Sequence, residues 1–502
     1  MTQLTDDTIS RALDPHPAGS AHERLRALAG ELAAWEQAER VLYWDERTFL
    51  PEASVRARTG QRSLLATRAH ELLTSAAMEQ AIDAAREELP GSVEAAAVGR
   101  RRRLALQLGA DFTTRFTEAK ARCRDAWHRG RLADDFATWQ DELARMLELT
   151  REQAELIGYE TEPYDALLDT WEPGVTAAEV AAICEAVAPV RDLMAHQQPA
   201  DEQLLRRTFE PARKLDFERE LLTRIGFDFT RGRIDYSPRA FCIVLGPDDV
   251  RLTTRFHGDG RITPLFSSLH EAGHGIYAQS FGRLGVPVTL AEVPGLGIDE
   301  AQSRMYENII CRSRGFWEHN FELLVESFPG VVEPDELEAF HRSVTTVRPG
   351  SIRVGSDELS YNFHIQLRFE LERAMVNGEL EVADLPEAWN ARAAELLGQA
   401  PASDQVGCLQ DVHWSIGQWG YFPTYLLGNV YSAQLWAQLS SEQPGIEDDI
   451  AQGRMDRVHD WFDEHVYRFG CAMTGPELVE RATGDAVSAQ PLVDYLRDRY
   501  GP

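Results

Sequence analysis

Within this chain of 502 residues, His270, Glu271 and His274 have the types and spacing that most clearly do chemistry. They form His-Glu-Ala-Gly-His, an HExxH pattern. Residues four apart on a helix share a face, so both imidazoles can reach one tetrahedral Zn²⁺. Glu271 follows the first ligand but is turned off its axis. There it can hold a water at the metal and take its proton as general base. With 14 histidines in the chain, chance supplies roughly a few hundredths of such a pattern, so it is informative but insufficient alone. Two histidines leave the site incomplete, because a catalytic zinc normally takes three protein ligands and keeps a fourth position open. Glu300 lies 26 residues beyond His274, just past a glycine-broken loop at the start of a second helical stretch. Packed antiparallel to the first helix, that stretch would aim Glu300 at the metal. On spacing alone Glu292 and Glu307 compete with it, and an acid in a first turn also suits the helix dipole.

The elements that must carry these residues read as helices. Leu25, Leu28, Leu32 and Trp35 recur at helical spacing, as do Leu143, Met146, Leu147 and Leu149 between Asp141 and Ile157. Leu50-Pro51, Leu89-Pro90-Gly91 and Glu172-Pro173-Gly174 punctuate the first 220 residues with turns rather than long linkers. The strand signal is confined to Asp235–Phe256, where two apolar runs flank Gly-Pro-Asp-Asp, and it predicts a small antiparallel hairpin. No repeat at solenoid spacing and no low-complexity tract is present.

The chain has 51 Lys and Arg against 81 Asp and Glu, a formal net charge of −30. Such a balance excludes a nucleic-acid binder, which needs cations to release counterions from phosphates. The basic run Arg100–Arg103 reads as a solvated helix face paired with nearby carboxylates. At 43% hydrophobic and 26% charged residues the composition is globular. The length is a soft prior for roughly two to four domains' worth of chain. No apolar run of 18 residues predicts a membrane span. The opening residues MTQLTDDTIS lack the features of a secretory signal, and the six dispersed cysteines read as reduced thiols. Both point to the cytoplasm.

Further segments carry a resemblance. Asp249-Val250-Arg251-Leu252-Thr253, Ile352-Arg353-Val354-Gly355-Ser356-Asp357 and Gly407-Cys408-Leu409-Gln410-Asp411-Val412-His413-Trp414 surround the HExxH site. They match the DxRxT, IRxx(A/S)D and GxxQDxHW segments of the carboxypeptidase Taq family, also called thermostable carboxypeptidase 1. The similarity runs from Tyr43-Trp44-Asp45 to Ala482-Thr483-Gly484, nearly the whole chain. The resemblance implies a mostly α, elongated multi-helix zinc peptidase fold with a deep substrate groove, the small antiparallel β element lying near the active site. It implies one metallocarboxypeptidase catalytic domain over residues 1–502, a homodimer, and Glu300 as third ligand. Two departures stand out. Arg239-Ala240-Phe241 replaces the family's His-Pro-Phe, and Asp299 replaces the His before the ligand Glu. The first is expected to alter substrate preference and the second metal affinity.

The resemblance also assigns roles. His413 and Tyr421 are the expected donors to the oxyanion, with Tyr425 in reserve. Outside that context the aromatics around them read as core. Arg353 is the expected fork for a substrate's terminal carboxylate, and Arg251 the second choice. The expected activity is zinc-dependent release of C-terminal residues from peptides, proline being disfavoured, with Co²⁺ a possible substitute metal. An oligoendopeptidase on the same centre, or an inactive helical peptide-binding homologue, are the alternatives.

Overall fold

A computed structural model describes residues 17–197, 203–255 and 260–501. The first ten residues and Phe256, used above for the signal and hairpin readings, lie outside the described residues. Helices dominate because apolar residues recur at helical spacing and local caps close the ends. The first group is α1 (Ala21–Thr48), α2 (Val55–Thr74), α3 (Ala76–Glu88), α4 (Val93–Ala133) and α5 (Ala137–Ile157). Ser20 caps α1 by accepting the Glu23 N–H. Next come α6 (Pro163–Asp169), α7 (Ala177–Val187) and α8 (Pro211–Arg224), with Thr176 and Glu179 forming a reciprocal cap on α7.

Three strands follow: β1 (Gly232–Ser237), β2 (Phe241–Gly246) and β3 (Asp249–Arg255). Their spatial order is β1-β3-β2, with β2 antiparallel and β1 parallel to β3. The predicted hairpin is the β2–β3 half of this mixed sheet. β1 escaped the sequence reading because its Gly-Arg-Ile-Asp-Tyr-Ser run buries only Ile234 and Ser237 and has no clean alternation. On one face of β3, Val250 and Leu252 are fully buried in the main core. On the other face Ile243 and Leu245 of β2 pack on Trp44 of α1.

The site-bearing helices come next, α9 (Pro264–Arg283) and α10 (Leu296–Arg304), the second running on through a π-helical turn, Met305–Ile310. The remainder are α11 (Arg314–Ser327), α12 (Leu337–Val344), α13 (Glu358–Asn377), α14 (Leu385–Leu397), α15 (Pro423–Glu442), α16 (Ile446–Ala451), α17 (Asp456–His465), α18 (Gly475–Thr483) and α19 (Gln490–Tyr500). The large apolar core runs from α4 to α19. Leu25, Leu32, Leu73, Met78 and Ile82 form a smaller cluster among the first helices. Among the described residues, no helix is long and apolar enough to cross a membrane. Three of the four arginines of the basic run pair as expected: Arg100 with Asp169, Arg101 with Glu36 and Glu292, and Arg102 with Glu79.

Candidate metal centre and active site

Two glycines decide how closely the site's helices meet. A Cβ on Gly273, between the two histidines of α9, would stand 2.6 Å from Ser303 Cα and 2.7 Å from the Gln302 carbonyl. A Cβ on Gly428 of α15 would stand 2.6 Å from Glu300 Cβ. α10 is thus clamped between α9 and α15 at backbone contact distance. That packing brings His270, His274 and Glu300 together, one ligand atom from each lying within 4.8 Å of the others. His270 Nε2 is 3.7 Å from Glu300 Oε2. Ser303 Oγ donates to the same oxygen at 3.1 Å and fixes the carboxylate.

Each imidazole has a carboxylate behind it, as a hydrogen bond for His270 and as a close ion-pair contact for His274. His270 Nδ1 lies 3.0 Å from Glu307 Oε2, and His274 Nδ1 lies 3.0 Å from Asp299 Oδ1. A carboxylate on Nδ1 fixes ring orientation and leaves Nε2 for a metal. Glu307 is placed by the π-helical turn and is held in turn by Arg304 at 3.3 Å and Arg312 at 3.0 Å. Burial opposes its charge, but His270, Arg304 and Arg312 outweigh burial and hold its carboxyl well below the usual range. Burial likewise works against a charged His274, yet Asp299, Glu300 and Glu271 raise it to about 10. Three carboxylates close to two imidazoles make this a site that favours positive charge. Two imidazoles and a carboxylate also suit a divalent ion of the zinc type.

Glu271 faces the groove beside the triad. Burial pushes its carboxyl up, while His270 and His274 and the Cys242 backbone N–H of β2 pull the other way. The groove has a cavity volume of about 1110 Å³ and takes its far wall from residues 351–361 and 410–425. His413 and Tyr421 lie on that wall with ring centroids 5.6 Å apart. Burial lowers His413 to about 3, Arg353 and Arg368 adding to the effect while Asp411 opposes it, so the ring is neutral and keeps one N–H. Tyr421 stacks edge-on against Trp171 at 5.1 Å and against Tyr425 at 5.3 Å. Gly420 sets its approach with a φ of +78°, where a Cβ would meet the Leu167 backbone at 2.6 Å. Burial raises both tyrosines, so they remain phenols.

Arg353 lines the same wall with its guanidinium already braced. Nη2 donates to Asp411 Oδ1 at 2.7 Å and Nη1 to Tyr361 Oη at 3.0 Å, while Arg368 holds the other Asp411 oxygen at 2.6 Å. Arg251, the second choice for the carboxylate, lies elsewhere in the structure. On β3 it points to the face opposite Val250 and Leu252, stacks 4.4 Å over Trp44, and pairs with Asp249 at 2.8 Å. It does not line the groove. Glu292, a competitor for the metal on spacing, pairs with Arg101 instead. Sequence reasoning missed Asp299 and Glu307 as partners of the histidines and Asp411 as the brace of Arg353. The available signal was chemical, since an HExxH histidine needs an acceptor for its second nitrogen.

Residues 24–500 match the family model described as carboxypeptidase Taq (M32) metallopeptidase. Thermostable carboxypeptidase 1 of Thermus thermophilus is 34% identical, over 96% of this chain and 98% of that protein. Carboxypeptidase 1 of Bacillus subtilis is 30% identical over 94% and 96%. Among solved structures, an M32 carboxypeptidase from Deinococcus radiodurans superposes with a TM-score of 0.92 at 36% identity, covering 96% of this chain and 99% of its own. A Pyrococcus furiosus carboxypeptidase, in a structure named Apo-Mg, gives 0.90 at 31% identity, covering 99% of each.

Proposed function

This chain belongs to the carboxypeptidase Taq (M32) metallopeptidase family and is a metallocarboxypeptidase acting on peptides; from that premise we propose that it uses zinc, with Co²⁺ a substitute, to release C-terminal residues one at a time, with Glu271 as general base. The observation that carries the reading is the triad of His270, His274 and Glu300 with a carboxylate behind each imidazole and the half-buried Glu271 alongside. Those three side chains would hold the ion. Zinc supplies Lewis acidity, lowering the pKa of a water towards about 7 and polarising the scissile carbonyl.

The chain's own groups do the rest. Glu271, whose proton affinity burial has increased, takes the proton of the attacking water and returns it to the departing amine. The neutral His413 N–H and the Tyr421 hydroxyl lie on the same wall and donate to the oxygen that gains charge, with Tyr425 beside them in reserve. Arg353 keeps N–H groups not committed to Asp411 or Tyr361, and its bracing makes it a rigid fork for the terminal carboxylate. Broad specificity with proline disfavoured and a homodimer complete the reading, supported by the family resemblance, as is one catalytic domain over the whole chain. The six free cysteines support a cytoplasmic setting.

The test is mass spectrometry of a mixed-sequence peptide incubated with metal-loaded protein beside its C-terminally amidated twin. The expected result is a ladder from the free acid only. Internal cuts in both peptides would assign an endopeptidase, and no cleavage with either Zn²⁺ or Co²⁺ would sink the reading.

A further inference from the structure

The groove carries a charge of the opposite sign to the molecule around it. Seven arginines and six carboxylates line it, although the chain as a whole has net charge −30. The carboxylates are all engaged. Glu292 pairs with Arg101, Asp299 with His274, Glu307 with His270, Arg304 and Arg312, and Asp411 with Arg353 and Arg368. Glu271 and Glu300 belong to the candidate metal centre, where a bound divalent ion would add further positive charge. Four lining arginines, Arg40, Arg131, Arg239 and Arg255, pair with no carboxylate among the described residues. Arg40 donates only to the Val244 carbonyl at 3.1 Å. Arg131 has a buried Nε without an acceptor.

Arg239 is the best placed of the four. It sits in the turn between β1 and β2, and its carbonyl accepts the Thr253 hydroxyl at 2.9 Å, which fixes the turn. Its side chain is exposed, and its charge reaches His413, where it opposes protonation of the ring. Guanidinium groups without carboxylate partners along a groove attract anions, and they bind carboxylates by paired N–H groups.

We propose that this groove selects acidic peptides, those with Asp or Glu side chains in the residues seated near the cut bond, and that Arg239 is a specificity-determining residue for them. The inference rests on the carboxypeptidase reading of the same groove and narrows its substrates.

The experiment uses three free-acid peptides of one length, carrying Asp, Ser or Lys at the same internal position, with that position then moved along the chain. Values of kcat/KM are read by mass spectrometry at low and high salt. At low salt the acidic peptide is expected to exceed the basic one by about tenfold, with the gap closing as salt screens the field. The Arg239→Glu variant is expected to shrink or invert the acidic-to-basic ratio, and Arg239→Lys to keep most of it. Fluorescent acidic and basic peptides titrated against metal-loaded Glu271→Gln read selectivity without turnover. Equal kcat/KM for the three peptides, or equal affinities in the titration, would overturn the proposal and leave the carboxypeptidase reading standing. Absence of cleavage with retained tighter binding of the acidic peptide would do the reverse.

Discussion

In the proposed mechanism, Glu271 and the two carboxylates behind the histidines divide the work of the site between reaction and metal retention. Replacing Glu271 by Gln keeps its shape and removes its base. The expected loss in kcat is about 10²–10⁴-fold with metal content unchanged, checked by steady-state kinetics beside metal analysis. Glu307→Gln and Asp299→Asn act on the other half. Each removes a charged acceptor from an Nδ1. Each is expected to weaken metal binding about 10–100-fold, read by competition with a chelating dye. Asp299 is a departure from the family pattern, and its position against His274 gives that departure a physical role.

The close approach of α9, α10 and α15 sets the spacing that those residues depend on. Gly273→Ala would force a methyl against the Ser303 and Gln302 backbone. It is expected to cost about 1–3 kcal/mol of stability in the metal-free protein, measured by denaturant unfolding, and to weaken metal binding as Glu300 is displaced. Helical periodicity, the turn residues and the HExxH spacing made most of this architecture legible in the sequence. The position of Glu300 on a second helix was legible too, though Glu292 and Glu307 could be separated from it only with the packing in view. Three things were not legible. β1 joins the sheet in parallel because of tertiary pairing with β3, which local alternation does not encode. The π-helical turn that delivers Glu307 shifts its direction relative to a regular helix. The side of β3 on which Arg251 falls depends on register, and one residue of register exchanges groove for α1.

On the scale of the molecule, two buried glutamates far from each other in the chain tie down the segments that carry the site. Glu172 accepts the Gly297 N–H at 2.6 Å at the start of α10, and Glu372 accepts the Gly420 N–H just before Tyr421. Burial raises both to about 8, with their hydrogen bonds opposing it. In the unfolded chain they titrate near the ordinary 4.5. The folded form therefore holds protons that the unfolded form has released. Their contribution is fully present below about 4.5 and is lost as pH rises through about 8. Each glutamate is expected to make stability fall by up to about 1.4 kcal/mol per pH unit within that window. Glu172→Gln should flatten the profile, as measured by unfolding from pH 5 to 9.

The same two tethers reach across long stretches of chain, from 172 to 297 and from 372 to 420, and Tyr421 and Tyr425 line the groove beyond the second. Translation delivers residues in order at about 5–20 per second, so the histidines emerge several seconds before the wall that faces them. A ribosome-bound chain that ends before the 410–425 segment has the HExxH helix but lacks His413 and Tyr421, the donors proposed above, and the Asp411 brace of Arg353. Under the proposed mechanism, hydrolytic competence therefore arrives late in synthesis, as a property of the completed fold. On the proposed mechanism, nascent or truncated copies are expected to be inert towards the peptides around them, which a chain ending before residue 410 would show by leaving a free-acid peptide uncut.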